Sequence, residues 1–589
     1  MFIRDPDDDD DIDYPEVTNK KGAIVAPRSV KDPIHDMIPI SPRLSMFIDT
    51  KQFQRLRNIK QLGTSYYVWL GASHNRFEHC IGVAFLARSM ATHLKESQPE
   101  LGITDRDIEC VEIAGLCHDL GHGPWSHVWD GLFIPQALPG EKWKHEDGSL
   151  MMFDALVKDN EIPLNSKDEK FIKALIFGDP SQCSPDEKLF LFDIVANKRN
   201  GLDVDKFDYI PRDSHMIGDK MSIALPRIIN SARVLDNQIC YDIKDANQIY
   251  DICATRFKLH KMVYNHKAAK AIEYMIIDAL LAAEPHMQIA RQVFCPDKYL
   301  HLTDNIMPQI EATTDEKLAP ARDIFSRIRT RDLYKLVDYK VVDFPYADMF
   351  KECITPEQIV EAARALPTTE DPAIRDLVKK LCAQDVICDF SLMHYGMKED
   401  NPLDSVRFYS KRHPNRGAKA ERGVYSNLMP KFHAELLVRI FTKHAKFFGI
   451  VQAGYRACLA AMPDLISFED AAALEPLFAE TGALTPPPAG AAAVSAPAST
   501  PPAPDAPSTP RGKRTFSRTT SFTFAAAGGG GVSTDPALFS NNAFTTVSPD
   551  FVPASPSRGN RRGKRRRELG MDEAGAGSGS SNGKKARVG

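Results

Sequence analysis

The segment GLCHDLGHGPWSHVWD, residues 115–130, places three histidines and two aspartates close together in the chain. His118 and Asp119 are adjacent, follow an apolar stretch, and precede two glycines and a proline. Imidazole nitrogens and carboxylate oxygens are ligands that divalent metals accept in proteins. Neighbours on a helix point about 100° apart, so both reach one ion only at the end of the helix. The segment therefore indicates a metal site at a helix terminus.

Two residues elsewhere in the chain are candidates to complete this site. His79 lies in the earlier stretch NRFEH, and Asp205 lies in the later stretch DVDKFDY. Taken singly, each has a structural alternative, because a buried histidine is as often a hydrogen-bonded core residue and an aspartate is often a helix cap or an ion-pair partner. Together they favour a divalent metal, and zinc, iron, manganese and magnesium all suit such a ligand set.

The elements that must position these residues have mostly helical patterns. Residues 105–123 carry apolar residues at helical spacing, with Thr104 or Asp105 placed to cap the start and Gly121, Gly123 and Pro124 to end the helix. Residues 76–94 and 249–281 also read as helices, the second long enough to cross a domain. Few segments alternate as strands do, and residues 198–210 are ambiguous.

Composition limits the class of protein. The 589 residues exceed the usual domain size several-fold, and 43% hydrophobic with 26% charged residues is ordinary for globular proteins. Eleven scattered cysteines without a CxxC pair favour reduced thiols in an intracellular compartment. The acidic N-terminus does not resemble a signal peptide, and no run approaches eighteen apolar residues, so we expect no membrane partner.

Longer motifs resemble a known family. In order, they are QFQRLRNIKQLG, GASHNRFEH, AGLCHDLGHGPWSH, NKRNGLDVDKFDY, LHKMVYNHK, LTDN and YGMKEDNP. With the order His, His-Asp, Asp, they are similar to the SAM-and-HD-domain deoxynucleoside triphosphate triphosphohydrolases of the HD phosphohydrolase superfamily. The vertebrate members carry a SAM domain before the catalytic core, and about 27 residues precede the matching region here, so we expect no SAM domain.

The resemblance implies a mostly α fold. We expect an HD-domain helical catalytic core at residues 28–345 and a helical C-terminal regulatory and oligomerisation lobe with minor β structure at 346–480. Residues 1–27 are acidic, and residues 481–589 are rich in Pro, Ala and Gly and carry basic clusters. Both flanks are expected to be disordered because such compositions bury little apolar surface.

The family reaction is attack of water on the α-phosphorus, which releases a deoxynucleoside and inorganic triphosphate. The resemblance assigns the metal to His79, His118, Asp119 and Asp205. It assigns the catalytic group to His122, His127, Asp130 and His145. In that group His127, oriented by Asp130, lies near the leaving 5′-oxygen, and His122 holds the α-phosphate. Histidine has an ordinary pKa of about 6.5, which suits proton transfer at neutral pH. Without the resemblance, His145 would read as a surface histidine.

The resemblance also implies a set of substrate-binding residues. They are Gln61, Leu62, Arg76, His122, His127, Lys206, Tyr209, Asp213, Arg256, His260, Tyr264 and Asn265. Arg76 and Lys206 would contact phosphates, although exposed cations are the commoner case for such residues. Tyr209 would lie under the ribose 2′ carbon and exclude ribonucleotides by steric contact. Asn265 stands where the family has glutamine.

Regulation in the vertebrate members depends on a tetramer assembled by a guanine nucleotide and a deoxynucleotide in neighbouring sites. The resemblance implies a guanine site, bound by GTP or dGTP, at Arg28, Asp49, Gln54 and Arg57. It implies a second, dNTP site at Trp69, Arg227, Lys244, His266 and Lys267. Arg28 replaces a lysine of the family, and Lys31, Trp69 and Ala224 replace asparagine, phenylalanine and aspartate. We therefore expect activator nucleotides and a homotetramer, with the base preference of the second site open.

The basic clusters at residues 558–568 and 583–587 resemble a bipartite import signal, which predicts an import receptor as a partner and nuclear localisation. A nucleic-acid arm and solvated charge are the alternatives.

Three functions are compatible with the sequence. The first is a metal-dependent dNTP triphosphohydrolase. The second is a regulator that binds single-stranded nucleic acid and keeps a secondary HD site. The third is an HD phosphodiesterase acting on another phosphoester. The first is favoured because the metal ligands, the extra histidines and Tyr209 occur together.

Overall fold

The computed structural model describes residues 17–18, 22, 24–219, 221, 223–366, 372–421 and 423–462. Most of the predicted acidic flank at 1–27, and all of the predicted flank at 481–589 with both basic clusters, lie outside the described residues. The described part belongs to a unit that runs from residue 1 to 483.

Helices dominate the described chain, as the sequence predicts. Up to the metal-site region the α-helices are α1 (Pro42–Ile48), α2 (Lys51–Gln54), α3 (Arg76–Ser97), α4 (Asp105–Cys117), α5 (Ile134–Ala137), α6 (His145–Asp159), α7 (Ser166–Phe177), α8 (Phe192–Val195) and α9 (Val204–Met216). They are followed by α10 (Leu225–Asn230), α11 (Ala246–Leu259), α12 (Lys267–Met287), α13 (Pro296–Tyr299), α14 (Ile306–Ala312), α15 (Ala319–Arg329), α16 (Ala347–Cys353), α17 (Pro356–Ala365), α18 (Pro372–Lys380) and α19 (Phe448–Ala461).

The two helices predicted around the histidines are confirmed. The side chain of Thr104 caps α4 by accepting a hydrogen bond from the backbone N–H of Asp107. The carboxylate of Asp107 in turn accepts one from the backbone N–H of Thr104. Such a cap stabilises a helix by about 1 kcal/mol. Helix α4 ends at Cys117, with His118 as its C-cap, which is earlier than the glycines at 121 and 123 predicted.

The single helix predicted over 249–281 is wrong. Helix α11 ends at Leu259, residues His260–Tyr264 form a π-helical turn, and α12 begins at Lys267. His266 adopts an extended backbone and its side chain accepts from Ala268, so it caps a new helix. Apolar periodicity continues through this break, and therefore the sequence pattern did not reveal it. The ambiguous stretch at 198–210 contains the start of α9, which Asp203 caps.

Within the described residues three sheets accompany the helices, which agrees with the mostly α fold and minor β structure that the resemblance implies. Strands β1 (Arg28–Asp32) and β2 (Asp36–Ile40) form an antiparallel hairpin. A four-stranded sheet has the order β3 (Arg233–Leu235), β4 (Gln238–Asp242), β7 (Arg407–Ser410) and β8 (His413–Ala418). A three-stranded antiparallel sheet has the order β5 (Lys335–Asp343), β9 (Ala434–Thr442) and β6 (Val386–His394).

Two hydrophobic cores underlie these elements. The larger one is built mainly by α3, α4, α12 and the surrounding helices. The smaller one lies under the three-stranded sheet and includes Val337, Phe350, Ile359 and Tyr455. Strand β5 begins before the boundary predicted at residue 345, because its partner β9 belongs to this second core. Among the described helices, none is both long and apolar enough to cross a membrane.

Candidate active site

Three helices bring the four predicted metal ligands to one point. Helix α3 carries His79, the end of α4 carries His118 and Asp119, and the first turn of α9 carries Asp205. Gly115 allows α4 to approach α3 closely, since a β-carbon there would lie 3.1 Å from Cβ of Ala87. The metal ligands therefore converge because α3 packs against both other helices.

The ligand atoms lie at the distances that a shared ion requires. Nε2 of His79 is 3.1 Å from Oδ1 of Asp205, and Nε2 of His118 is 3.4 Å from the same oxygen. Nε2 of His118 is also 3.4 Å from Oδ1 of Asp119. Ligand atoms of His79, His118 and Asp119 all lie within 4.8 Å of one another. An ion between them would contact two nitrogens and two carboxylates.

The outer ring nitrogens are held by hydrogen bonds, so the inner ones face the centre. Nδ1 of His79 lies 2.7 Å from Asp208, and Nδ1 of His118 lies 2.8 Å from the carbonyl of Gly115. Nε2 of His118 is buried and has no hydrogen-bond partner. A buried polar atom without a partner is costly, and a divalent cation would satisfy it. The residues present thus fit a divalent metal.

The electrostatics of the cluster also favour a cation. Burial lowers the pKa of His79, but hydrogen bonds to Asp205 and Asp208 outweigh it and raise that pKa to about 10. Burial raises the pKa of Asp205, yet the neighbouring imidazoles of His118 and His79 bring it well below its usual value. The carboxylate of Asp205 stays ionised, and the pKa of the imidazole of His79 is raised, so positive charge is favoured at this point. A divalent ion would supply that positive charge.

A cavity of about 730 Å³ opens beside the metal ligands. Of the predicted metal, catalytic and substrate residues, it is lined by Gln61, Leu62, Arg76, His79, Asp119, His122, His127, His145, Asp205, Lys206, Tyr209, Asp213, Arg256, His260, Tyr264 and Asn265. His118 and Asp130 are not among the lining residues, and they contact the lining residues Asp205 and His145 instead. The cavity is large enough for a nucleotide.

The three extra histidines form a cluster at the cavity wall. The rings of His122 and His145 stack with centroids 4.0 Å apart, and the ring of His127 lies 5.1 Å from that of His122. Nδ1 of His145 is 2.5 Å from Asp130, and Nδ1 of His127 is 3.8 Å from it. Burial lowers the pKa of His145, but the bond to Asp130 outweighs it and raises the pKa above its usual value. The cluster therefore offers a proton donor beside the metal ligands.

His122 differs from His145 in the direction of its pKa shift. Its side chain is buried, its Nε2 lies 3.3 Å from Asp119, and its Nδ1 has no hydrogen-bond partner. Burial and the nearby Arg76 hold the pKa of His122 well below its usual value. His122 is therefore a neutral imidazole, with one nitrogen available to a ligand in the cavity.

Comparison with known proteins adds the family. The HD-domain family profile matches residues 76–188. Human deoxynucleoside triphosphate triphosphohydrolase SAMHD1 is 42% identical over 446 residues, which cover 70% of each chain. The cattle protein of the same name is 42% identical over 447 residues, covering 70% of this chain and 74% of its own. A homolog from Dictyostelium discoideum is 35% identical over 455 residues, covering 77% of this chain and 83% of its own.

The chain belongs to the HD-domain deoxynucleoside triphosphate triphosphohydrolase family. The resemblance carried by the motifs is thereby confirmed. The profile match includes His79, His118 and Asp119 and ends before Asp205. The fourth predicted ligand, Asp205, therefore comes from a helix outside the matched region.

The far side of the cavity carries the residues predicted beside the sugar. Asp213 lies between two partners, with His74 Nε2 at 2.7 Å and the hydroxyl of Tyr264 at 2.5 Å. The ring of Tyr209 lies edge-on to that of His79, with centroids 6.5 Å apart. Asn265 donates to the carbonyl of His260. The amide of Asn265 is therefore engaged with its own backbone segment.

Cationic side chains line the cavity near the ligands. Arg76 bonds to Asp119 and donates to the hydroxyl of Ser126 at 2.9 Å. Lys206 pairs with Asp203 at 3.1 Å, and Arg256 donates to the carbonyl of His394 at 2.6 Å. Burial lowers the pKa of Lys206, but Asp203 outweighs it, so the lysine stays charged. The predicted phosphate-binding residues thus lie within the cavity, although each has a protein partner.

The residues predicted to bind activator nucleotides form two sets, one for each predicted site. In the first set, the guanine site, residues pair with one another. Arg28 donates two hydrogen bonds to Asp49, at 2.9 and 2.7 Å. Arg57 donates to Gln54 at 2.8 Å and lies 3.5 Å above the ring of Phe77.

The second predicted set is spread over several elements. The ring of Trp69 meets that of His266 edge-on at 6.4 Å, and Lys267 begins α12 beside it. Arg227 pairs with Asp245 at 2.6 Å, and Lys244 lies 3.9 Å from Asp242.

The sequence reasoning missed several residues at this site. Asp208 supports His79, and His74 supports Asp213, as described above. Asp208 stands three residues after Asp205 and four before Arg212, spacings that place neighbours on one helix side and could have pointed to it. His74 lies inside the quoted motif GASHNRFEH, but one chain offers no signal that separates it from an ordinary buried histidine.

Proposed function

We propose that this protein hydrolyses deoxynucleoside triphosphates to deoxynucleosides and inorganic triphosphate. The observation that carries the proposal is that two clusters lie at one nucleotide-sized cavity: the four predicted metal ligands, three of which line it, and the histidines paired with Asp130. Relatives that share 42% of residues are named for this activity. Vertebrate and slime-mould relatives support the same assignment.

The metal, the cationic side chains and the histidines have separate roles in the proposed reaction. A divalent metal, when bound, supplies Lewis acidity toward the phosphoryl oxygens and lowers the pKa of water. Arg76, Lys206 and Arg256 bind the phosphates and offset their charge. The resemblance places His127 near the leaving 5′-oxygen, but Asp130 lies closer to His145, at 2.5 Å against 3.8 Å. We therefore assign the donation of a proton to this oxygen to His145, with His127 beside it. His122 lies beside Arg76 at the cavity wall, where the resemblance places the α-phosphate.

The opposite end of the cavity selects the sugar and the base. The carboxylate of Asp213 and the hydroxyl oxygen of Tyr264, which itself donates to Asp213, accept a hydrogen bond from a sugar hydroxyl. Tyr209 leaves no room for a ribose 2′-hydroxyl. Gln61 carries a buried side-chain oxygen with no hydrogen-bond partner, which makes it a ready acceptor for the nucleotide. Leu62, His260 and Asn265 complete the surface around the nucleoside.

The test of this function is the identity of the product. Purified full-length protein is incubated with dGTP and, in separate reactions, Mn²⁺, Mg²⁺, Fe²⁺ or Zn²⁺, and the products are resolved by ion-exchange chromatography. We expect deoxyguanosine and inorganic triphosphate in equal amounts. Diphosphate or monophosphate would show an HD phosphodiesterase instead. No turnover together with tight binding of single-stranded nucleic acid would show a regulator.

We also propose that GTP or dGTP activates the enzyme and that dNTP binding drives a homotetramer. The support is that the pairs Arg28–Asp49 and Arg57–Gln54 present a carboxylate and cations, groups that suit a guanine nucleotide. Trp69, Arg227, Lys244, His266 and Lys267 lie on other elements, an arrangement that a site shared between subunits would explain. We also propose that the basic clusters at 558–568 and 583–587 form an import signal that directs the protein to the nucleus.

The activation proposal predicts a dependence on GTP. With dATP as the only nucleotide the rate should be low, and adding GTP should raise it by tenfold or more, because a coupling energy of 1–3 kcal/mol corresponds to about 5–150-fold. Asp49→Ala should abolish the increase while leaving metal content unchanged. The measurement is triphosphate release together with mass by light scattering. Equal rates with and without GTP would contradict activation and leave hydrolysis itself intact.

A further inference from the structure

The β1–β2 hairpin turns through a segment with a fixed shape. Oδ1 of Asp32 accepts the backbone N–H groups of Ile34 and His35, at 2.8 and 2.9 Å. Asp36, which pairs with Asp32 across the hairpin, has a positive φ of 66°. Aspartate favours both roles, since its short side chain can bond to the backbone two or three residues on. The turn therefore fixes the direction in which His35 projects.

His35 projects onto a carboxylate beneath the metal ligands. Its Nε2 lies 2.6 Å from Oδ1 of Asp208, which is completely buried. The other oxygen of Asp208 lies 2.7 Å from Nδ1 of His79, the predicted ligand. The His35 side chain is only 5% exposed. A single carboxylate thus joins the hairpin to the metal ligand on α3.

An arginine closes this arrangement into a ring. Arg212 donates two hydrogen bonds to Asp208, both at 2.8 Å, and a third to Asp32 at 2.8 Å. Asp32 in turn holds the backbone of His35. The hairpin therefore contacts Asp208 directly through His35 and indirectly through Arg212. Buried charges arranged in this way are stable only while every partner is present.

The carboxylate of Asp208 packs tightly against α3 at Gly82. A β-carbon on Gly82, one turn after His79 on α3, would lie 1.9 Å from Oδ1 of Asp208 and 2.6 Å from Arg212. The glycine therefore gives the carboxylate room to reach both histidines. A carboxylate on the outer nitrogen of a ligating histidine fixes the ring's tautomer and orientation, and losing such a partner typically costs 10–100-fold in metal affinity.

We propose that the β1–β2 hairpin is part of the metal centre, with His35 as a positioning residue that holds Asp208 and, through it, His79. The inference rests on the metal site of the proposed function. It extends that site to residues well before the HD-domain match at 76–188. The strand that ends at Asp32 begins at Arg28, which pairs with Asp49. The hairpin consequently lies between the metal centre and the predicted guanine site.

The experiment measures metal affinity rather than turnover. Full-length protein is stripped of metal and titrated with Co²⁺ against a chelator, without nucleotide, while the visible absorption of Co²⁺ reports ligand geometry. His35→Leu removes the donor to Asp208 and should weaken Co²⁺ binding by about 10–100-fold and change the spectrum. His35→Gln, whose amide can still donate, should recover most of the affinity.

The matched control disturbs the same hairpin without touching Asp208. Ile38 is 1% exposed on β2, so Ile38→Ala should lower the melting temperature while leaving Co²⁺ affinity and spectrum as in the wild type. Wild-type affinity in His35→Leu, or an equal loss in Ile38→Ala, would overturn the inference. Wild-type protein that binds Co²⁺ as expected but releases no triphosphate would overturn the proposed function and leave this inference standing.

Discussion

Replacing Asp205 by asparagine is expected to reduce triphosphate release by on the order of 10³-fold, because metal catalysis supplies several kcal/mol of transition-state stabilisation and each 1.4 kcal/mol is tenfold. Asp205 is the residue whose oxygen approaches both imidazoles, at 3.1 and 3.4 Å. The asparagine keeps the shape and loses the charge. Steady-state triphosphate release and metal content by mass spectrometry of the purified protein are the measurements.

The control for this variant is the same change at a nearby exposed position. Asp219 lies just after α9 and pairs with Lys258 at 2.6 Å on the surface. Asp219→Asn should keep full metal content and a rate within about twofold of the wild type, as expected for an exposed ion pair. If Asp205→Asn kept both its metal and its rate, the four-residue metal site would be wrong.

Replacing Asp130 by asparagine is expected to lower kcat by about 10²-fold or more at neutral pH, within the range that acid–base groups contribute. Asp130 raises the pKa of His145, so the protonated acid persists to higher pH in the wild type. In the variant the bond to the Asp130 carboxylate is lost while burial still lowers the pKa of His145. That pKa should fall, and the alkaline limb of the rate profile should move toward lower pH. The measurement is kcat across pH 5.5–9 at saturating dGTP.

A double variant distinguishes this role from a general loss of structure. If Asp130 acts through His145, then Asp130→Asn added to His145→Gln should cost little beyond His145→Gln alone, because the two residues work as a unit. Additive losses, or an alkaline limb that stays in place in Asp130→Asn, would show that His145 is not the proton donor. The melting temperatures of the three variants check that each is folded.

Much of this protein was predictable from local patterns. Helices α3 and α4 follow from apolar spacing and the cap at Thr104, and both are confirmed. The residue types in HDLGHGPWSH indicate metal and proton-transfer chemistry wherever they lie, because imidazole and carboxylate groups have few other reasons to gather at a helix end. The family resemblance rests on the order of the motifs along the chain, which is read from the sequence without knowledge of the fold.

Other features depend on contacts between distant segments. The break at Asn265 and His266 is invisible to periodicity, since apolar residues continue on both sides, and it is His266 that caps the new helix. Strands β5, β6 and β9 are nine residues each, yet only their pairing with one another makes them a sheet. The alternation of the central strand β9 is weak because consecutive residues at its end are buried, which requires cover on both faces of the sheet.

The sequence alone determined which side chains can bind a metal, move a proton or contact a phosphate, since that chemistry belongs to the residue type and its near neighbours. The tertiary structure decided which of them meet. Asp205 and Asp208 reach His79 from α9, across 126 and 129 positions of the chain. His35 reaches Asp208 from the β1–β2 hairpin, across 173 positions. No local pattern encodes such distances, because they arise only when buried helices pack and each buried charge must find its partner.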